Sequence, residues 1–300
     1  MKITALIVTY NRLEKLKKCW AAIEQLPFHE ILIVDNASTD ATSGWLRELR
    51  DSRLKIVFND VNEGGAGGFF KGSEWLAHNS NPDWVLFFDD DAYPDSTLLA
   101  DFISSDKQDA DVIATNVVDM KGSRCKMNIP WLKIPNSFRE LIRYYKEPCQ
   151  FEASRSGKAE VVTFSFVGVF IDFTLLKKMY HKINKDLFVY FDDVYFSWEL
   201  NLLGYKIIYN PDLTFYHDVL ESKSAMPPWK IYYLSRNLIL SRNFFQEKKP
   251  FSLLSILLRI VKCYFMVIKS DNKLSYIKYL TRGVWDGMTY NFKGPKSGRI

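Results

Sequence analysis

Short apolar runs alternate with longer segments of helical period over the first ninety residues. Ile3–Thr9, Glu30–Val34, Leu54–Phe58 and Trp84–Phe88 read as strands. The first, second and fourth are close to continuous in apolar side chains, as strands buried on both faces are. Between them the pattern predicts helices from about Leu13 to Leu26, where Pro27 stops the first, and from about Ala41 to Arg50. A third follows the glycine-rich Asn62–Phe70 stretch and runs through about His78. Strands alternating with helices imply right-handed crossovers and a mostly parallel central sheet, hence an α/β fold. In such sheets ligands sit beyond the carboxyl ends of the strands. Four polar clusters, Thr9–Arg12, Asp35–Asp40, Asn62–Gly68 and Asp89–Asp91, fall on that one edge and together predict a binding site.

The acidic cluster is the sharpest of the four. Val85–Phe88 ends abruptly in Asp89, Asp90 and Asp91, with Pro94 expected to stop further pairing. Three adjacent carboxylates repel one another and call for a compensating positive charge. In an extended chain Asp89 and Asp91 point to one side and Asp90 to the other. Two oxygen ligands with open positions suit a divalent cation that also holds a diphosphate; a solvated acidic turn is the plainer alternative. Acids recur at Asp192 and Asp193, just before a helix expected over Val194–Leu203 and closed by Gly204. A carboxylate at a helix N-terminus is favoured by the dipole, whether it does chemistry or only caps. His217 follows a strand at Lys206–Tyr209, whereas His29, His78 and His181 stand beside no motif.

The glycine cluster excludes some classes. It follows the third strand, lacks the terminal glycine of a dinucleotide fingerprint, and is not followed by the Gly-Lys-Ser/Thr of a P-loop. Asp89–Tyr93 does not fit a haloacid-type phosphatase nucleophile, and a nucleotidyltransferase would want a basic, Gly-rich loop after the first strand. The glycines are expected to let the backbone approach a flat or phosphorylated ligand.

The length of 300 residues allows a catalytic core with a smaller appendage. Four scattered cysteines suggest neither a zinc site nor a disulfide framework, and point to a reducing compartment. The apolar run at Met1–Thr9 is too short for a signal peptide. The net charge of +5 hides an asymmetry: residues 221–300 hold fifteen Lys/Arg against four acids, and residues 1–220 are acidic. An acidic core, 1–220, and a basic, aromatic helical region, 221–300, suggest two surfaces with different partners. No motif supports nucleic acid as one of them. In that region Trp229–Phe245 is helix-like. Phe251–Ile268 is near spanning length, but Arg259 and Lys262 make it better suited to lie on an anionic membrane, or to pack on the core or another subunit. Residues 119–160 mix breakers, charges and aromatics without a period; they are expected to form a partly mobile insertion near an acceptor.

Ile7-Val-Thr-Tyr-Asn-Arg12, Ile33-Val-Asp-Asn-Ala-Ser-Thr-Asp40, Asn62-Glu-Gly-Gly-Ala-Gly-Gly-Phe69 and Phe88-Asp-Asp-Asp-Ala92 resemble, in order, the signatures of inverting family 2 glycosyltransferases. The resemblance covers about residues 1–220 and implies the GT-A fold, a nucleotide-sugar donor and a GT-A catalytic domain. The Gly-Gly-Ala-Gly-Gly-Phe and triple Asp most resemble bacterial galactofuranosyltransferases. This implies UDP-galactofuranose as donor and Mn2+ or Mg2+ as cofactor, with rhamnosyl transfer from dTDP-rhamnose as the near alternative. A catalytically silent glycosyltransferase-like membrane scaffold is the alternative of another class. The resemblance also implies Asp193 as general base, with Tyr195 standing where a third acid often lies. Asp89, Asp91 and His217 become metal ligands. Thr9, Arg12, Asp35, Asn36, Asn62, Gly64, Gly65 and Asp90 become the donor site, and Asp192, Phe166, Gly168 and Trp198 the acceptor wall. Arg236 could reach the diphosphate. The expected acceptor is a lipid-linked glycan of the bacterial surface, such as an O-antigen or capsule, met at the inner face of the cytoplasmic membrane.

Overall fold

The computed structural model describes residues 1–219, 226–292 and 294. The expected domain boundary at 220/221 and the last basic residues of the chain lie outside the described residues. The strands are β1 (Ile3–Thr9), β2 (Glu30–Asp35), β3 (Leu54–Phe58), β4 (Trp84–Asp89), β5 (Ala92–Pro94), β6 (Val112–Val118), β7 (Ala159–Glu160), β8 (Val169–Asp172) and β9 (Ile207–His217). The helices are α1 (Leu13–Ile23), α2 (Thr42–Glu48), α3 (Gly64–Asn79), α4 (Leu98–Ser104), α5 (Phe138–Lys146), α6 (Phe173–Met179), α7 (Asp192–Leu202), α8 (Pro228–Phe244), α9 (Leu253–Met266) and α10 (Lys273–Met288).

One sheet runs in the order β3-β2-β1-β4-β8-β6-β9-β5, with β7 on β9. Its N-terminal part, β3-β2-β1-β4, is parallel as the strand–helix alternation predicts. Beyond β4 it is mixed: β8 runs antiparallel to β4 and β6, and β9 parallel to β6. Every residue of β1 is buried, because α1 and α3 cover its two faces. Each fully buried aliphatic side chain there contributes about 1.5–3 kcal/mol. On the α3 face Phe69, Phe87, Phe164, Phe166 and Phe196 stack into one aromatic layer.

The glycine cluster is the first turns of α3, not a loop ahead of it. A side chain at Gly68 would strike Val8, and one at Gly72 would strike Leu6. Those two glycines therefore let the helix lie directly on the sheet. The 119–160 segment is also ordered structure: α5 opens with a capping box between Ser137 and Glu140, and Trp131 bridges to Glu152. The C-terminal helices share a core with the sheet domain, in which Leu238, Phe245, Phe251 and Ile256 meet Ala66, Leu187 and Tyr195.

Candidate active site

Asp89 ends β4, and Asp90 and Asp91 form the tight turn into β5 rather than an extended run. Pairing resumes after the turn, where β5 joins β9, and it ends at Pro94 opposite Phe215, as the proline leads one to expect. The compensating cation is Arg12, whose Nη1 lies 2.7 Å from Asp91 Oδ2 and 3.3 Å from Asp90 Oδ1. Thr9 donates its hydroxyl to Asp90 Oδ2 at 2.7 Å. The β5–β9 register sets Ala92 opposite His217, bringing His217 Nε2 to 3.4 Å from Asp91 Oδ1.

The electrostatics follow from burial and mutual repulsion. Burial, then Asp91 and Asp90, push Asp89 up to about 7. Burial raises Asp90 to about 6 against the pull of Arg12. Burial also works against Asp91, but its hydrogen bond to His217 and the Arg12 charge hold it below the ordinary carboxylate range. Burial opposes a charge on His217, yet hydrogen bonds to Asp91 and Cys125, with the Asp91 and Asp89 charges, raise it to about 9.

The second acid pair reaches the same cleft. Phe188, Tyr190 and Phe191 all adopt left-handed φ, at 68°, 69° and 67°, and turn the chain into α7. The contortion is held by α8. Asn237 Nδ2 lies 2.9–3.0 Å from the carbonyls of Leu187, Val189 and Tyr190, and Arg236 Nη2 donates to those of Asp186 and Leu187. Arg236 is fully buried against Tyr232, Tyr233 and Phe292, so it clamps this loop and does not project toward a diphosphate, contrary to expectation. α7 begins at Asp192, so both acids occupy its first turn. Burial and the Asp193 charge push Asp192 well up, with a smaller contribution from Asp89. Burial also raises Asp193, to about 6, against hydrogen bonds from Val194 N–H, the Ser165 hydroxyl and Phe166 N–H. Burial and mutual repulsion therefore raise both acids of the pair above the ordinary carboxylate range.

The remaining expected residues fall into two sets. Thr9, Arg12, Asp90, Asp89, Asp91, His217, Asp192 and Asp193 are gathered at the carboxyl end of the sheet. Asp35 is buried and accepts from Ser38 N–H and Ser43 Oγ, closing the loop after β2. Asn36 is equally buried; it bonds Asn62, Gly64 O, Asn59 and Glu63 N–H and so ties two site loops together. Gly64, at φ 72°, abuts the Phe188 carbonyl, whereas Gly65 faces open space.

Three acceptor-side expectations are corrected. Phe166 buries its ring in the aromatic layer and offers only its N–H to the site, through Asp193. Gly168, at φ 73°, immediately precedes β8 and bonds the backbones of Phe87 and Thr115; Thr115 and Phe215 side chains fill the space its own would take. Trp198 lies five residues after Asp193, about 140° round the helix, and donates Nε1–H to the Lys248 carbonyl. Sequence reasoning also missed Lys230, in the first turn of α8. Burial and the Arg12 charge lower its pKa while Asp91 and Asp89 pull the other way, so it lies within the field of the same charges. Nothing in its local sequence marks it, because only the packing of α8 brings it there.

Among the described residues no three His, Cys, Asp or Glu side chains already surround one point. Asp91 and His217 nonetheless form a mixed O/N pair with Asp89 beside them, a donor set that fits Mn2+ or Mg2+ once diphosphate oxygens join it.

A stretch of 78 residues is 28% identical to the undecaprenyl-phosphate mannosyltransferase of Micrococcus luteus, covering 25% of this chain and 32% of that protein. The match therefore spans about a third of that relative's length. Mannosyltransferase PcManGT from Pyrobaculum calidifontis, solved with GDP-Man and Mn2+, aligns with a TM-score of 0.54 at 16% identity, over 100% of this chain and 76% of that one. GalNAc-T7, solved with UDP, GalNAc and Mn2+, gives 0.53 at 12% identity, over 98% and 58%. S. aureus TarS 1-349 gives 0.50 at 17%, over 97% and 72%. At such identities the likeness is one of fold, and that fold is GT-A. The sequence signature extends over residues 4–165, more than half of the chain, and on that match the protein belongs to glycosyl transferase family 2.

Proposed function

We propose that this glycosyltransferase is metal-dependent and inverting, and moves galactofuranose from UDP-galactofuranose to a saccharide of a bacterial surface glycan. The observation that carries the mechanism is the meeting of the Asp91–His217 pair with the Asp192–Asp193 pair on one sheet edge. The donor assignment rests on the Gly-Gly-Ala-Gly-Gly-Phe and triple Asp motifs. Asp193 takes the proton from the attacking acceptor hydroxyl, a role that typically contributes about 10²–10⁴-fold. Arg12 and Lys230 stand on the diphosphate side, where positive charge stabilises a departing phosphate oxygen. Asp89, Asp91 and His217 would hold a divalent ion, which when bound supplies charge neutralisation at the leaving group. Asn36 and Asn62 contribute by setting the shape of the donor loops, and Gly65 by leaving room for the donor.

The acceptor is proposed to be lipid-linked, in keeping with the name of the partial relative. The enzyme would then work at the inner face of the cytoplasmic membrane. Among the described residues no helix is long and apolar enough to cross a membrane. One side of α9 packs inward through Ser255, Ile256, Ile260 and Cys263, while Leu253, Leu257 and Phe265, with Ile268 just beyond, are 58–72% exposed. That face suits a bilayer interface. Arg259, expected to point at headgroups, instead lies half-buried over Phe251.

The test is thermal stabilisation by a panel of UDP-galactofuranose, dTDP-rhamnose and GDP-mannose, with Mn2+ and with chelator. The proposal expects the largest Mn2+-dependent shift from UDP-galactofuranose, followed by transfer from it. A larger shift with dTDP-rhamnose or GDP-mannose reassigns the donor, and an equal shift in chelator removes the metal.

A further inference from the structure

Asn128 lies in the 119–160 segment, in a turn of 3-10 helix over Lys126–Asn128, and is buried. His217 Nδ1 lies 3.0 Å from Asn128 Oδ1, and Asn128 Nδ2 lies 2.9 Å from Ser165 Oγ. Ser165 Oγ also accepts from Val167 N–H at 3.2 Å, and Ser165 stands beside Asp193, whose pKa its side chain helps hold down.

The donor directions in this chain are dictated at one end. Ser165 Oγ accepts N–H donors from both Asn128 and Val167, so its own proton is left for a third partner, and Asp193 is the acid beside it. Both lone pairs of that oxygen are then taken by Val167 N–H and by an N–H of Asn128. The Asn128 amide is thereby oriented with its oxygen toward His217, and Nδ1 must carry a proton. What remains is Nε2, which faces Asp91 and is the nitrogen available to a metal.

We propose that Asn128 is a positioning residue that couples the two halves of the site, aligning His217 for the metal on one side and, through Ser165, Asp193 for the acceptor on the other. This deepens the proposed function and rests on its assignment of His217 and Asp193. Partners of this kind set the tautomer and ring angle of a ligating histidine, and losing one typically weakens metal binding about 10–100-fold.

The experiment titrates Mn2+ against the protein by electron paramagnetic resonance in the presence of UDP, alongside kcat and its pH profile. Asn128→Ala should weaken Mn2+ about 10–100-fold and also lower kcat. Ser165→Ala should keep wild-type Mn2+ affinity, lower kcat, and move the acid limb of the pH profile upward, because Asp193 loses a hydrogen bond to its charged form. Asn128→Asp retains the acceptor for His217 and should hold Mn2+ while losing turnover, which covers the case in which the alanine variant does not fold. Wild-type Mn2+ affinity in a folded Asn128→Ala protein overturns the coupling. So does equal loss of Mn2+ affinity in Ser165→Ala. A wild-type protein that binds Mn2+ but uses none of the donors overturns the donor assignment alone, and the Mn2+ titrations still decide the role of Asn128.

Discussion

Asp91 Oδ1 and His217 Nε2 stand 3.4 Å apart at the shared end of β5 and β9, brought together by a strand register and not by nearness in the chain. The pair is the nucleus of the proposed metal site. His217→Ala should weaken Mn2+-dependent donor binding on the order of tenfold or more. Thermal stabilisation by the donor, followed as Mn2+ is titrated, is the measurement, and an unchanged midpoint would remove the histidine from the ligand set.

Two neighbouring glycines should behave oppositely. At Gly64 a side chain meets the Phe188 carbonyl at 2.0 Å on a backbone of φ 72°. Gly64→Ala should therefore destabilise by more than the roughly 1–2 kcal/mol of the left-handed conformation alone. At Gly65 nothing lies within 4 Å. Gly65→Ala should leave stability unchanged or raise it by up to about 1 kcal/mol, while weakening donor binding. Denaturant unfolding and donor titration on both variants separate the two roles; intact donor binding in Gly65→Ala would mean that the open space is not the donor's.

The loop before α7 is held by two side chains of α8, Arg236 and Asn237. Asn237→Ala removes one amide shared among the carbonyls of Leu187, Val189 and Tyr190. The Leu187 carbonyl keeps Arg236 and Val189 N–H as donors, but the Val189 and Tyr190 carbonyls lose theirs, and stability should fall by about 1–3 kcal/mol. Turnover should fall as well, because Asp193 follows this loop, with Mn2+ affinity retained. Loss of Mn2+ affinity in parallel with kcat would show a general collapse in place of a displaced base.

What could be read in the chain and what could not divide by the range of the interactions. The N-terminal strands and the acids at the end of β4 are local patterns of apolar residues broken by polar ones, and they stand where the pattern places them. The glycines after β3 carry the same composition whether they face a ligand or a packed helix. Gly68 and Gly72 turn out to serve Val8 and Leu6. Arg236 looked like a phosphate ligand because a lone arginine in sequence gives no sign of burial. Asn128, Ser165 and Lys230 carry no local signal, since each acquires its partners from elements far away in the chain. Phe166 and Gly168 sit in the right segment, yet the sheet turns their side-chain positions inward.

The exposed face of α9 makes a prediction about location. Replacing Leu257 and Phe265 together by Glu should reduce binding to phosphatidylglycerol-rich vesicles by roughly tenfold per residue if each is partly buried there. Catalysis on a soluble acceptor should be retained. Co-sedimentation measures the first effect; unchanged binding, or a wild-type dimer that the same substitutions split, would assign the face to protein.

Asp193, raised to about 6 by burial against the pull of its hydrogen bonds, acts as a base only when ionised. Its contribution is therefore present above pH 6 and is lost as the pH falls through that value. kcat/KM should decline about tenfold per pH unit on the acid side.

The direct test is the Asp193→Asn variant, assayed for transfer and for Mn2+-dependent stabilisation by the donor in the same preparation. Donor stabilisation should match wild type while kcat falls by about 10²–10⁴-fold. Transfer at the wild-type rate with the donor still bound would contradict the assignment of the base, and with it the claim that these distant segments build one catalytic centre.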